Sequence, residues 1–204
     1  MITGKELEIV GVFRRNLFSS YTINELMKKL KTGSYSWTFN AVKKLHRQGI
    51  ILFERKGHST LCRIDLKSHL AVTYLSLLDE LEALSKNIPN IEEIREVIPT
   101  DHYILLVAGS YAEGKQGAKS DLDVVVIVDD SADSRKILNA VSNKGDLLIP
   151  AVHAYVFRRE EFLNMLLAKE ENYGKLVFRK RLVFFGAENY YLIVREAIRN
   201  GFTG

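Results

Sequence analysis

Apolar positions in the first fifty residues recur at helical spacing. Leu7, Val10 and Phe13, flanked by Ile9 and Val12, predict an amphipathic helix that ends near Asn16. In SSYTINELMKKLK, Thr22 stands three residues before Glu25, the spacing of a capping box. A second helix therefore starts there, with Ile23, Leu26, Met27 and Leu30 inward. After a turn at Gly33, Ser34 or Ser36 caps a third helix that runs to about Gln48. Its buried side carries Trp37, Ala41, Val42 and Leu45, and Gly49 ends it. The period then changes. IILFERKGHSTLCRIDL has β-type residues on both sides of Arg55-Lys56-Gly57-His58, a hairpin signature, with Cys62 and Ile64 alternating into the core.

Residues His69 to Asn87 predict a long helix with Val72, Leu75, Leu78, Leu81 and Leu84 at every third position. Such a helix can join two modules or pair two copies of the chain as a homodimer. Pro89 and Pro99 bracket a short helix, IEEIREVI. Beyond it, strand-like and helical patterns alternate. HYILLVAGS and DLDVVVIVDD read as strands, 131–142 as a helix, LLIPAVHAYVF as a third strand and REEFLNMLL as a helix. Tyr190-Tyr191 with Val194 and Ile198 predicts a packed closing helix. The alternation marks an α/β domain.

Composition narrows the class. The 204 residues are 47% hydrophobic and 26% charged, enough apolar material for real cores. No stretch approaches the ~20 apolar residues of a membrane span. The start, MITGKELEIV, lacks the basic-then-apolar order of a secretory signal. One cysteine excludes an internal disulfide frame and a multi-cysteine zinc site. These features point to a cytoplasmic protein with no membrane partner.

Charge is divided unevenly. Residues 1–68 hold 13 Lys and Arg against 5 Asp and Glu, and the remainder 16 against 20. A basic front on an acidic rear fits two modules, the front one facing an anion such as nucleic acid. A basic surface can also serve solubility alone.

The order helix, helix, turn, helix, hairpin over residues 5–68 resembles the winged helix-turn-helix domains of prokaryotic transcription regulators. That resemblance implies double-stranded DNA as partner, with the third helix in the major groove. Ser36, Asn40, Lys43, Lys44 and Arg47 would face the DNA, and Arg55, Lys56 and His58 would touch backbone from the wing. Domains of this type also bind proteins. Phe39 lies off the buried stripe and is expected to pack on a neighbouring segment.

The chemistry concentrates in GSYAEGKQGAKSDLDVVVIV, Gly109 to Val128. Alternate residues of a strand share a face, so Asp121 and Asp123 point the same way, ~7 Å apart at their α-carbons, with Leu122 opposed. Two acids on one face repel unless a cation lies between them, and hard oxygen ligands suit Mg²⁺ together with substrate phosphates. Gly109 lets the backbone approach an anion, and Ser110 offers a hydroxyl and an amide. The Gly-x-Gly-x-x-Gly order of a dinucleotide site and the Gly-Lys-Ser/Thr of a P-loop are both missing.

The whole string, Gly109-Ser110, Ala112, Gly114, Ser120-Asp121-x-Asp123 and four aliphatics, resembles the signature of the DNA polymerase β nucleotidyltransferase superfamily. It is closest in kind to the minimal nucleotidyltransferases of prokaryotes, some of which carry a winged helix in front. The resemblance covers residues 100 to about 200. It implies that Asp121 and Asp123 hold Mg²⁺ or Mn²⁺, that Gly109 and Ser110 hold a nucleoside triphosphate, and that Ser120 orders the loop. It further implies transfer of a nucleotide monophosphate to a hydroxyl acceptor. The family's third carboxylate, on the next strand, falls at His153 when Glu160-Glu161-Phe162 sets the register. Nothing acidic lies between Pro150 and Arg159. Asp146 is ~23 Å from His153 along an extended strand, too far to substitute. His153 then acts as a neutral base or metal ligand, or a substrate or partner group completes the site, or the domain binds without efficient turnover.

The expected architecture is α/β (α+β): a winged helix-turn-helix at 1–68, a helical linker at 69–99, and a nucleotidyltransferase-like mixed β-sheet with helices at 100–204. Two functions fit it. One is a metal-dependent nucleotidyltransferase coupled to DNA binding. The other is a DNA-binding regulator or antitoxin whose rear domain binds nucleotide, or a helical toxin-type protein partner, with little catalysis.

Overall fold

The computed structural model describes residues 2–14, 16–57 and 59–204; His58, expected on the wing, lies outside them. Its contacts divide the chain into two compact units, Met1–Leu78 and Asp79–Gly204.

The front unit holds α1 (Gly4–Arg14), α2 (Ile23–Lys29), α3 (Tyr35–Arg47) and the antiparallel hairpin β1 (Ile51–Lys56) with β2 (Ser59–Ile64). Local chemistry sets the helix starts. The Thr22 N–H donates to Glu25 Oε2 at 2.7 Å, and the Glu25 N–H donates to Thr22 Oγ1 at 3.2 Å. This reciprocal cap satisfies two N–H groups that the first turn of a helix leaves without partners. Ser34 Oγ accepts from the Trp37 N–H at 3.2 Å and starts α3. Ile9, Val10, Phe13, Leu26, Val42 and Leu45 are fully buried, each worth roughly 1.5–3 kcal/mol in apolar transfer. Cys62 is also fully buried, and burial pushes its thiol up to about 11.

Two expectations for α3 are corrected. Thr38, not Trp37, takes the buried position, because its hydroxyl is satisfied by Thr32 Oγ1 and Ser34 O, both at 3.0 Å. Phe39 does not pack on another segment. It is 40% exposed and stacks on Tyr35 of the same helix, with centroids 6.3 Å apart.

The boundary between units falls within α4 (His69–Ser85). Its inward residues are Ala71, Val72, Leu75 and Ala83, whereas Leu81 and Leu84 are exposed. A strict three-residue repeat drifts around a 3.6-residue helix, so the last leucines leave the face that the first ones bury.

The rear unit is a four-stranded mixed sheet in the order β5-β4-β3-β6. Its strands are β3 (Tyr103–Val107), β4 (Leu122–Val128), β5 (Val152–Arg158) and β6 (Leu182–Phe185). β3 runs antiparallel to β4 and β6, and β4 parallel to β5. The helices are α5 (Ile91–Glu96), α6 (Gly109–Glu113), α7 (Ser134–Gly145), α8 (Arg159–Leu167), α9 (Tyr173–Arg179) and α10 (Ala187–Arg199). This is the expected mixed α+β class.

Alternation along β4 sorts its faces. Leu122, Val124, Val126 and Val128 join a core cluster with Ile91 and Ile94 of α5 and Ile137 and Val141 of α7. Asp123 faces the other way. The third strand is shorter than expected. Leu147 and Ile149 are 82% and 93% exposed and precede β5, because Pro150 has no N–H to give to a ladder.

Candidate active site

β3 delivers the chain to Ala108, whose N–H donates to Asp123 O at 2.9 Å and clamps the following turn to β4. Gly109 then turns with φ +63, a conformation natural to glycine. Space imposes the same choice, since a Cβ there would lie 2.0 Å from Asp123 Oδ2. The Gly-Ser turn and the second aspartate are thus in direct contact, although fourteen positions separate residues 109 and 123. Ser110 is partly buried in the first turn of α6. Ser120 Oγ accepts from the Gly117 N–H at 2.9 Å, so its hydroxyl closes the loop that leads to Asp121.

Asp121 is exposed just before β4, and Asp123 is partly buried on it. Burial raises the Asp123 pKa, His153 opposes that rise, and the charge of Asp121 adds to it. The two carboxylates therefore feel each other, as acids sharing one side of a strand must. In the parallel β4–β5 register His153 pairs with Asp123, so the sequence anchor leads to the strand position beside the pair. His153 Nδ1 lies 3.9 Å from Asp123 Oδ1, and its side chain is 67% exposed.

Asp121 and Asp123 are hard oxygen donors, the kind that could hold a divalent ion whose other ligands are phosphate and water. Among the described residues, no group of three or more His, Cys, Asp or Glu forms a ready metal cage.

Residues 91–183 match the family model of the nucleotidyltransferase domain. No curated protein and no solved structure gives a significant match to the chain. The matched segment runs from the first residue of α5 into β6 and encloses Gly109, Ser110, Ser120, Asp121, Asp123 and His153. The match lies within the rear unit, whose architecture is mixed α+β. No helix among the described residues is long and apolar enough to cross a membrane.

Sequence reasoning missed two tyrosines in this domain. Tyr155 follows His153 by two positions on β5 and packs on Tyr173 of α9, with centroids 4.4 Å apart and the rings tilted by 35°. The Tyr173 hydroxyl is buried with no hydrogen-bond partner among the described residues. Burial, then the charge of Asp123, raises its pKa. The period of two along β5 places Tyr155 on the His153 face, but nothing local marks Tyr173.

On the front unit, Ser36, Asn40, Lys43 and Arg47 are exposed together on α3, and Arg55 and Lys56 are exposed at the end of β1. Lys44 is placed differently. Its Nζ donates to both carboxylate oxygens of the buried Glu6, at 3.0 and 2.8 Å, and so braces α1 against α3. The Lys44 bonds help hold the Glu6 carboxyl below its usual range, against the opposing effect of burial.

Proposed function

We propose that the nucleotidyltransferase domain moves a nucleoside monophosphate from a triphosphate to a hydroxyl acceptor. The observation that carries this reading is the contact of the Gly109 turn with the Asp123 carboxylate. The turn meets one acid directly, and the charge of Asp121 acts on that same carboxylate. Gly109 and Ser110 would hold phosphate oxygens through backbone N–H groups and the Ser110 hydroxyl. Asp121 and Asp123 would hold Mg²⁺ or Mn²⁺, which supplies positive charge to the reacting phosphates. In transfer, the acceptor oxygen bonds to the α-phosphorus, the bond to the bridging oxygen breaks, and pyrophosphate leaves. His153, exposed beside Asp123, would take the acceptor's proton. The exposed polar and basic set on α3 and at the end of β1 supports a front unit that binds double-stranded DNA and brings the domain to it.

A second reading is supported by the missing third acid. With histidine where the family resemblance calls for a carboxylate, the domain would bind nucleotide or a helical protein partner, and the front unit would regulate transcription or act within an antitoxin. Incubation with labelled triphosphates and Mg²⁺ or Mn²⁺, alone and with candidate acceptors, separates the two. Label transfer that disappears in an Asp121→Ala, Asp123→Ala variant supports the enzyme. Nucleotide binding with no transfer to any acceptor supports the regulator.

A further inference from the structure

The exposed side of α3 is ordered along its length. Tyr35, Phe39, Lys43 and Arg47 stand four residues apart, so they form one row on the helix, two rings followed by two cations. The contacts follow the row. Tyr35 and Phe39 lie nearly parallel, with 10° between their planes and centroids 6.3 Å apart. The Lys43 ammonium sits 5.9 Å from the centre of the Phe39 ring. All four residues are exposed, Tyr35 by 51% and Phe39 by 40%. The buried side of the helix is separate and consists of Thr38, Ala41, Val42 and Leu45.

The packing of α3 does not account for the two rings. Large apolar side chains are stabilised by leaving water, and these keep much of their surface in it. The row also meets no opposing charge on its own helix. The 13 residues of α3 include Lys43, Lys44, His46 and Arg47 and no Asp or Glu. Lys44 is engaged with Glu6, and His46 Nδ1 lies 2.8 Å from Ile51 O, which leaves Lys43 and Arg47 turned to solvent. A polyanion is complementary to one half of the row, and a flat π-face to the other. Single-stranded nucleic acid joins those two features, with phosphates along a basic track and bases stacked on rings. An intact duplex does not, because its bases present only their edges in the groove and a thymine methyl covers only part of one ring.

We propose that this row binds unpaired bases in a single-stranded DNA tail beside a duplex. Bases would stack on Tyr35 and Phe39, and the phosphates that link them would lie along Lys43 and Arg47. Ser36 and Asn40, exposed on the same helix, would meet base edges. This selectivity rests on the reading of the front unit as a DNA-binding module and adds the form of DNA that it prefers.

The test is fluorescence anisotropy of the full chain with three labelled DNAs: a blunt duplex, the same duplex with a single-stranded thymidine tail, and the same duplex with an abasic tail of equal length. The thymidine-tailed duplex should bind about tenfold tighter than the other two, the scale of stacking one base. Phe39→Leu keeps an apolar side chain without a π-face. It should bring the thymidine-tailed duplex down to the affinity of the blunt one and leave the blunt affinity unchanged. Phe39→Trp should keep the preference, whereas a merely apolar docking face would not distinguish leucine from tryptophan. Asp121→Ala with Asp123→Ala should also keep it, which separates α3 from the rear domain. If none of the DNAs binds, the stacking role falls together with the DNA-binding role of the front unit. If the blunt or abasic-tailed duplex binds as tightly as the thymidine-tailed one, DNA binding stands and stacking is overturned. Retention of the preference in Phe39→Leu, or its loss in Phe39→Trp or in the rear-domain variant, overturns stacking as well.

Discussion

The carboxylate of Asp123 occupies the space that a side chain at residue 109 would fill. A Cβ on Gly109 would stand 2.0 Å from Asp123 Oδ2 and 3.1 Å from its Cγ. Gly109→Ala must therefore push the carboxylate away from the turn, besides straining φ +63. A displacement of ~1 Å at a reacting centre costs on the order of 100-fold in rate. Transfer activity should fall by about that factor. Circular dichroism should show the fold retained, since the nearest atom that must move is the end of one partly buried side chain.

His153 pairs with Asp123 across the parallel strands, at the position of the acid that the family resemblance calls for. His153→Asp would put a third carboxylate beside the pair. Mn²⁺ binding, followed by electron paramagnetic resonance, should tighten by about tenfold, the scale on which supporting groups tune metal affinity. His153→Ala should leave Mn²⁺ affinity nearly unchanged while lowering transfer activity by about 100-fold or more, the scale of a positioned base.

Burial raises the Asp123 pKa, so the folded state holds that proton more tightly than the unfolded chain does. Stability from this group is complete below the unfolded aspartate value and is lost as pH climbs through the higher folded value. Asp123→Asn should accordingly melt higher than the parent at pH 7, with the difference shrinking as pH falls below 4. Thermal melts at pH 7 and pH 3.5 check this.

Arg181 is buried with Asp79, its NH2 atom 3.5 Å from Asp79 Oδ2, and the Tyr191 hydroxyl donates to the same oxygen at 2.6 Å. The guanidinium also lies 4.3 Å from the centre of the Tyr190 ring. Asp79→Ala should cost roughly 3–5 kcal/mol in urea unfolding, because it leaves the arginine charge buried without its carboxylate. Replacing both members with apolar residues should recover most of that loss.

Much of this was legible because it is local. The Thr22–Glu25 cap spans three residues, and its two hydrogen bonds need nothing from the rest of the chain. The Gly109–Ser110 turn and the Asp-x-Asp pair stand close in sequence, and strand alternation alone puts both acids on one side. His153 could be found by counting back from Glu160-Glu161-Phe162. What escaped depends on partners distant in the chain. The buried Thr38 required knowing that Thr32 folds back to meet its hydroxyl. The pairing of Lys44 with Glu6 of α1 joins residues far apart in the chain, and spacing along α3 does not reveal it. Leu147 to Ile149 look like strand, yet Pro150 stops the ladder short of them. Tyr173 carries no local mark, and only the packing of α9 on β5 brings it near Asp123.

The central claim is that the Gly109 turn and the Asp121–Asp123 pair grip one metal-loaded triphosphate together. Calorimetric titration with a non-hydrolysable triphosphate, in the presence and absence of Mg²⁺, tests it most directly. Tight binding should require Mg²⁺ and should be lost both in Gly109→Val and in Asp121→Ala with Asp123→Ala. Binding of equal strength without Mg²⁺, or in either variant, would contradict it.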